Sequence, residues 1–428
     1  MPAPPFFEAW LHRLAPLGSR TAQAAAQVRA HTLCQLENCF RQWLPEDLFP
    51  KALAATAKFA DQLVPALNFL KARPLKVVDG SALTLLADTR KNRAAYPPIQ
   101  CRPHQPSFPM MRFVVLFSLL SGSILAAVQG SLAVSEWALL AQLTTPLAKG
   151  DILIGDRGFG CYPVIALRQH TLGVDFIGRT TRRIDGRRRG QRLGRNDWLL
   201  EWKKGRRASP WMSLLQWQAL PATLTLRAVK GSLYQKGFRV RQVTVITTLL
   251  DPQAYPAQQI LEAYLRRWRL EMCLDDLKTT LGLESLRARS PEMAQRELWT
   301  RLIAHNLVRC TMAQAAAEHN VPLARISFKG SRDALRQFSQ AMAQAKTKKK
   351  RQQLWQELLR TLAADLVPER PGGREPRAVK RKRKNTLAWR GRAANFAISS
   401  NGMIAAKSHV SGSSALCKRH SPSSGAET

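Results

Sequence analysis

Acidic residues are scarce in this sequence: 29 Asp and Glu stand against 66 Lys and Arg, a formal net charge of +37 over 428 residues. Such a surplus repels basic partners and gathers polyanions. Each phosphate neutralised also releases counterions, so nucleic acid is the partner class that the charge favours. Paired metal-binding thiols are missing as well. Cys34, Cys39, Cys101, Cys161, Cys273, Cys310 and Cys417 form no C-x-x-C, and the eight histidines have no zinc-type spacing beside them. That argues against a zinc module or a disulfide framework, and for reduced thiols in a cytosolic protein. The opening MPAPPFFEAWLHRL has no basic stretch followed by an apolar run, so no signal peptide is expected. One apolar run, residues 113–134, is long enough to span a bilayer. Ser121-Gly122-Ser123 breaks it between β-branched and aromatic stretches, which predicts two buried strands joined by a tight turn and no membrane segment.

What is present is enough apolar sequence, 45%, for a sizeable core and two to four domains. Residues 1–70 read as a helical N-terminal region, with Phe40, Trp43, Leu44 and Leu48 at helical spacing. Residues 71–284 change character. LKVVDGSALTLL, from 75, is strand-like, and the hairpin follows. SEWALLAQLTTPLA suits a short helix capped by Ser135. GDILIGDRGFG is a buried strand, CYPVIALRQHT a helix and VDFIG another strand. This alternation predicts an α/β mixed sheet with flanking helices. It is interrupted over 179–240 by a β-rich basic insertion. Twelve Lys or Arg fall between 179 and 207, with Trp198, Trp202, Trp211 and Trp217 within or just beyond them. A long helix is predicted from about Pro256 to Gly282. Residues 285–345 read as a C-terminal helical region, and 346–428 as a basic tail expected to be largely disordered.

Two aspartates lie just beyond apolar runs, where open α/β sheets carry their sites: Asp79 in VVDGS and Asp156 in LIGDRGF. Either alone reads equally as a turn residue. On the long helix, at ~100° per residue, Tyr264, Arg267, Glu271 and Lys278 share a stripe about 60° wide. The same arithmetic puts Leu261, Leu265, Trp268 and Met272 on an adjoining apolar face. Arg267 and Glu271 by themselves fit an ordinary i, i+4 ion pair. Three carboxylates from two strands and a late helix also suit hard divalent cations, which prefer oxygen ligands and bind phosphate. A pair of such ions serves in-line displacement at phosphorus.

In this order, Asp79, Asp156 and Glu271 resemble the DDE triad of bacterial cut-and-paste transposases with a ribonuclease-H-like core. Tyr264, Arg267, Glu271 and Lys278 match the Y-x2-R-x3-E-x6-K signature of the insertion-sequence type 4 group. The resemblance covers roughly residues 70–340. It implies a catalytic core that ligates two Mg²⁺ or Mn²⁺ ions through Asp79, Asp156 and Glu271. Tyr264, Arg267 and Lys278 would hold phosphates of the DNA end. It further implies cleavage and strand transfer on double-stranded DNA (terminal inverted repeats and target), a homodimer in the synaptic complex, and a bacterial cytoplasmic, nucleoid-associated location. Related readings are another ribonuclease-H-like nuclease or resolvase, and a catalytically inactive DNA-binding remnant. Some hairpin-forming relatives carry a stacking Trp on the strand before the signature helix; here that strand reads RQVTVITTLL. Trp198, Trp202, Trp211, Trp217, Tyr234 and Phe238 are the available substitutes.

Overall fold

The computed structural model describes residues 45–83, 85–98, 108–182, 184, 190–232, 242–367, 396–398 and 404–406. The chain divides into two units, residues 1–233 with 240–368, and residues 234–239 with 369–428. Of the second, only the antiparallel pair Phe396–Ile398 and Ile404–Ala406 is described.

The first unit opens with α1 (Leu48–Leu63), β1 (Leu75–Leu83), the short β2 (Leu85–Leu86) and α2 (Arg90–Ala95). The hairpin β3 (Met111–Ser118) and β4 (Ile124–Ser131) follows, turning at Gly122 with φ +72°. No helix among the described residues is long and apolar enough to cross a membrane. Next come α3 (Glu136–Gln142), β5 (Ile152–Gly155), α4 (Tyr162–Leu172) and β6 (Asp175–Gly178). Ser135 caps α3, its hydroxyl accepting from the Ala138 N–H at 3.2 Å. The insertion supplies β7 (Gln191–Gly194), β8 (Asp197–Lys203), α5 (Leu214–Ala219) and β9 (Thr223–Ser232) before β10 (Gln242–Thr247). Helices α6 (Ala257–Asp275), α7 (Pro291–His319), α8 (Phe328–Gln344) and α9 (Lys348–Ala364) complete the unit. The short β11 (Ser285–Leu286) lies between α6 and α7.

All but the two-residue strands of this unit form one nine-stranded sheet, ordered β4-β3-β1-β5-β6-β10-β9-β8-β7. β1, β3 and β4 are antiparallel, whereas β5 and β6 run parallel to β1 and are reached through α3 and α4. Three antiparallel strands followed by two parallel ones, with helices on both faces, make a ribonuclease-H-like mixed α/β fold. Side chains alternate across it. Val77, Phe113, Val115, Phe117, Ile152 and Ile154 join one core with α1, α6 and α7. Val78, Val114, Leu116, Leu153 and Phe176 join the other with α3 and α4. Each such side chain, fully buried, contributes about 1.5–3 kcal/mol.

Two features differ from the sequence-based expectation, whereas the β-rich insertion joins the core sheet: β9 pairs with β10, and β8 and β7 extend the same sheet. The tail was expected from 346, yet Lys348–Ala364 is a helix burying Trp355, Leu358, Leu359 and Leu362 against α7 and α8. Its basic first turn masks an apolar stripe at helical spacing. Finally, α6 is most deeply buried along a stripe beside the apolar face that spacing suggests. Met272 is 64% exposed, while Ile260, Ala263, Tyr264, Arg267, Leu270, Cys273, Leu274 and Leu277 are buried. Residues 1–44, and the tail beyond 367 apart from its two short strands, lie outside the described residues.

Candidate active site

The site is set by where β1 and β5 stop pairing. The β1–β5 parallel ladder ends at Val78 opposite Gly155, so Asp79 and Asp156 are the next residues on adjacent strands. β1 itself continues to Leu83 along β3, with Asp79 opposite Val115. Asp79 therefore sits inside a strand and not at its end, and is held more firmly than a turn residue. By strand alternation it shares the face of Val77, the one covered by α6. The loop after β5 folds around Asp156, whose Oδ1 accepts from the N–H groups of Gly158 (2.8 Å) and Phe159 (3.2 Å). Gly160 closes that loop against the backbone of Arg179. A Cβ there would stand 1.5 Å from the Arg179 carbonyl oxygen, so no other residue fits without moving backbone.

From α6, Arg267 donates to Glu271 Oε1 at 2.8 Å, the i, i+4 pair anticipated by spacing. The two ends of the pair differ: Arg267 is buried, whereas Glu271 is exposed. Tyr264 is 1% exposed; burial raises its hydroxyl above the ordinary value, and the Arg267 and Arg179 guanidiniums oppose that rise. The Arg267 guanidinium also lies 5.5 Å from the Tyr264 ring centroid. Its Nε has no acceptor in this buried setting. Lys278 is half-buried within a single π-helical turn, Asp276–Thr280, in which the Leu281 N–H bonds the Asp276 carbonyl at 2.9 Å. Such turns recur at functional sites because they re-aim a helix's last side chains.

The electrostatics tie the three carboxylates together. Burial pushes the Asp79 carboxyl up to about 6. The Gly80 N–H, at 2.8 Å, and Arg267 pull it down, while Asp156 and Glu271 push it up. Carboxylates that repel one another where a ladder ends suit a hard cation, and an all-oxygen donor set fits Mg²⁺ or Mn²⁺ better than softer metals. Among the described residues no three His, Cys, Asp or Glu side chains are already gathered as an ion cage. Glu271 is held by Arg267, so completing a cage requires its side chain to swing off that guanidinium.

Residues 76–307, which include all six signature positions, match the family model described as "Transposase DDE domain". The chain belongs to that family. Among curated relatives of this DDE chain is the transposase InsG for insertion sequence element IS4 of Escherichia coli (strain K12). It is 27% identical over 254 residues, covering 55% of this chain and 54% of that protein. The transposase for insertion sequence element IS421 of Escherichia coli is 27% identical over 185 residues, 37% of this chain and 50% of that one. The chain thus spans about half the length of the curated relatives it matches. Among solved structures, a chain of the piggyBac transposase synaptic complex with hairpin DNA is similar at a TM-score of 0.36 and 14% identity, over 70% of this chain and 58% of that one. So distant a likeness carries no weight here.

Among the aromatic substitutes, Trp198 and Trp217 are buried core residues. Trp202 is half-buried, with Arg182 5.5 Å from its ring centroid and Tyr162 edge-on at 6.4 Å. Trp211 is half-buried with its indole N–H unpartnered. Tyr234 and Phe238 lie outside the described residues. Sequence reasoning missed Arg179, whose charge lowers the Tyr264 hydroxyl's pKa against burial, and Trp137, whose Nε1 donates to the Gly158 carbonyl at 2.8 Å. Neither sits in a recognisable spacing. Arg179 is one of twelve basic residues in its stretch, and Trp137 reads as a core position of a short helix.

Proposed function

We propose that this chain is a DNA transposase that cuts and rejoins phosphodiesters at the ends of an insertion sequence. The observation that carries the reading is the placement of Asp79 and Asp156 side by side where the β1–β5 ladder ends, with α6 bringing Glu271 close enough to act on the Asp79 carboxyl. Asp79 would hold both divalent ions, and Asp156 and Glu271 would complete one position each. When bound, such a pair of ions stabilises charge on the attacking and leaving oxygens. The protein's own part is positioning. Tyr264, buried with the Arg267 guanidinium 5.5 Å from its ring centroid, would hold that guanidinium in place, and Arg267 would direct its positive charge toward the DNA phosphates. Lys278 adds a point charge from the π-helical turn. Water attacks first and frees a 3′-hydroxyl, which then attacks a second phosphodiester. The +37 charge supports gripping DNA, and synapsis of paired ends calls for at least two copies.

The test is strand cleavage of linear DNA carrying the element's terminal inverted repeats, in Mg²⁺. Wild type should release the 3′-hydroxyl end and form strand-transfer products. Asp156→Ala and Glu271→Ala should each lose activity by about 10³-fold or more, equivalent to ~4 kcal/mol of barrier. Unchanged cleavage in either variant overturns the assigned mechanism, and cleavage without transfer points instead to a nuclease.

A further inference from the structure

Helix α6 carries Tyr264, Arg267 and Glu271, and its aim decides where they stand. Apolar packing sets how deep the helix lies, but it is non-directional. Direction comes from polar contacts, and those at the start of α6 converge on one turn. Arg227, on β9 of the insertion, is 0% exposed. Its Nε and Nη2 donate to the Asp197 carboxylate on β8, at 2.8 and 2.5 Å. Its Nη1 donates to the carbonyls of Asp251 (3.3 Å) and Tyr255 (2.6 Å). That turn leads straight into α6, which begins at Ala257. The segment before β1 grips the same place. Arg73 Nη1 donates to the Tyr255 hydroxyl at 3.0 Å, Lys71 Nζ lies 5.3 Å from the Tyr255 ring centroid, and the Leu70 N–H donates to Gln259 Oε1 at 2.9 Å.

The simplest account of Arg227 is a buried ion pair that holds β8 to β9. Those strands, however, already pair along the whole of β8. A buried pair also adds little net stability, because desolvating two charges offsets their attraction. What an apolar side chain could not supply is the third arm of the guanidinium, which reaches carbonyls 24 and 28 positions along the chain. The far end of α6 is tied to α7 and α8, where Arg301 donates to the Leu281 carbonyl and Arg332 to the Thr280 carbonyl. Glu271 is thus held between two anchored ends. It lies about 15 Å from Leu281, and Ala257 about 36 Å from it, at ~1.5 Å per residue. A gap of one water diameter, about 2.8 Å, opened at Ala257 would swing Glu271 by about 1 Å. Displacing a catalytic group by ~1 Å costs about 10²-fold in rate.

We infer that Arg227 is a positioning residue for the cleavage reaction: from the insertion it fixes the turn that aims α6, and through α6 the place of Glu271. The inference rests on the transposase reading of Asp79, Asp156 and Glu271, and deepens it.

Cleavage of terminal-repeat DNA in Mg²⁺, followed as rate against DNA concentration, tests it. Arg227→Lys keeps a cation beside Asp197 but has one ammonium in place of the fork. Its rate at saturating DNA should fall about 10- to 100-fold, with the half-saturating DNA concentration within about twofold of wild type. Asp197→Leu combined with Arg227→Met removes both charges and the link together. Its urea midpoint should be unchanged or raised, yet its rate should fall as far, which separates aim from stability. Either protein decides the matter should the other not fold, and failure of both to fold makes the pair a structural one and overturns the inference. Full rate in a folded variant, or a loss confined to DNA affinity, overturns the positioning role and leaves the site standing. Wild type that does not cleave, or cleavage indifferent to Asp156→Asn, overturns the transposase reading and this inference with it.

Discussion

Carboxylates lie on both sides of the β1–β5–β6 ladder, Asp151 and Asp175 where it begins and Asp79 and Asp156 where β1 and β5 part, and the two sides are built differently. Where β1, β5 and β6 begin, each carboxylate is neutralised. Lys76 pairs with Asp151 at 2.5 Å, and Arg73 with Asp175 at 2.6 Å. Asp151 also accepts from the Ala148 N–H, and Asp175 from the Thr248 hydroxyl. Where β1 and β5 part, Asp79 and Asp156 accept hydrogen bonds from their own following backbone, and among the described residues neither closes an ion pair. Burial first, with Asp156 and Glu271 adding repulsion against the pull of Arg267, raises the Asp79 carboxyl to about 6. A carboxylate with a fitted cation partner stabilises the fold. One that is buried without closing an ion pair is left for something that arrives later.

Exchanging substitutions between the two ends is the strongest way to break this comparison. Asp151 is 3% exposed, so Asp151→Ala strands a largely buried Lys76 ammonium and should cost ~3 kcal/mol in urea unfolding. Asp156→Asn, in EDTA, should cost no more than about 0.5 kcal/mol, or stabilise, because it removes repulsion. Equal losses at the two ends would erase the distinction.

His305 supplies a second contrast, a buried titratable group with no charge of its own. It lies between Phe117 and Phe328, and burial first, then Arg309, holds its imidazole down to about 3. The unfolded chain takes up that proton near 6.5 while the folded chain does not. Stability should therefore be level above pH 6.5 and fall as the pH drops toward 3. Relative to His305→Phe, wild type should lose about 2 kcal/mol between pH 7 and pH 5. A parallel fall in both proteins would mean that the imidazole is charged in the fold.

Of the ion pairs where the ladder begins, the smaller effect is expected at Arg73–Asp175, which is about one-fifth exposed on each side. Arg73→Met should cost ~1 kcal/mol in the same unfolding assay, and a loss as large as that of Asp151→Ala would show that burial does not rank these pairs.

Much of this was legible before any coordinates. Strand alternation in LKVVDGS and DILIGD, the Ser121-Gly122-Ser123 turn and the Ser135 cap all report local physics, and each element formed where its pattern lay. On α6, Leu261, Leu265 and Trp268 form the apolar face that spacing suggests and pack half-buried against the core, while the fully buried stripe beside them runs through Ile260, Ala263, Leu270 and Leu274 and takes Tyr264 and Arg267 with it. Spacing alone does not show how far burial extends around a helix, because that depends on the partner surface.

The central claim is that the exposed end of these strands ligates a metal at Asp156, and a change of ligand softness tests it most directly. With Asp156→Cys, cleavage of terminal-repeat DNA should be lost in Mg²⁺, which binds thiolate poorly, and should recover in Mn²⁺, which tolerates it better. Recovery confined to Mn²⁺ is the predicted result. Full activity in Mg²⁺, or the same residual activity in both ions, would contradict a ligand role for Asp156.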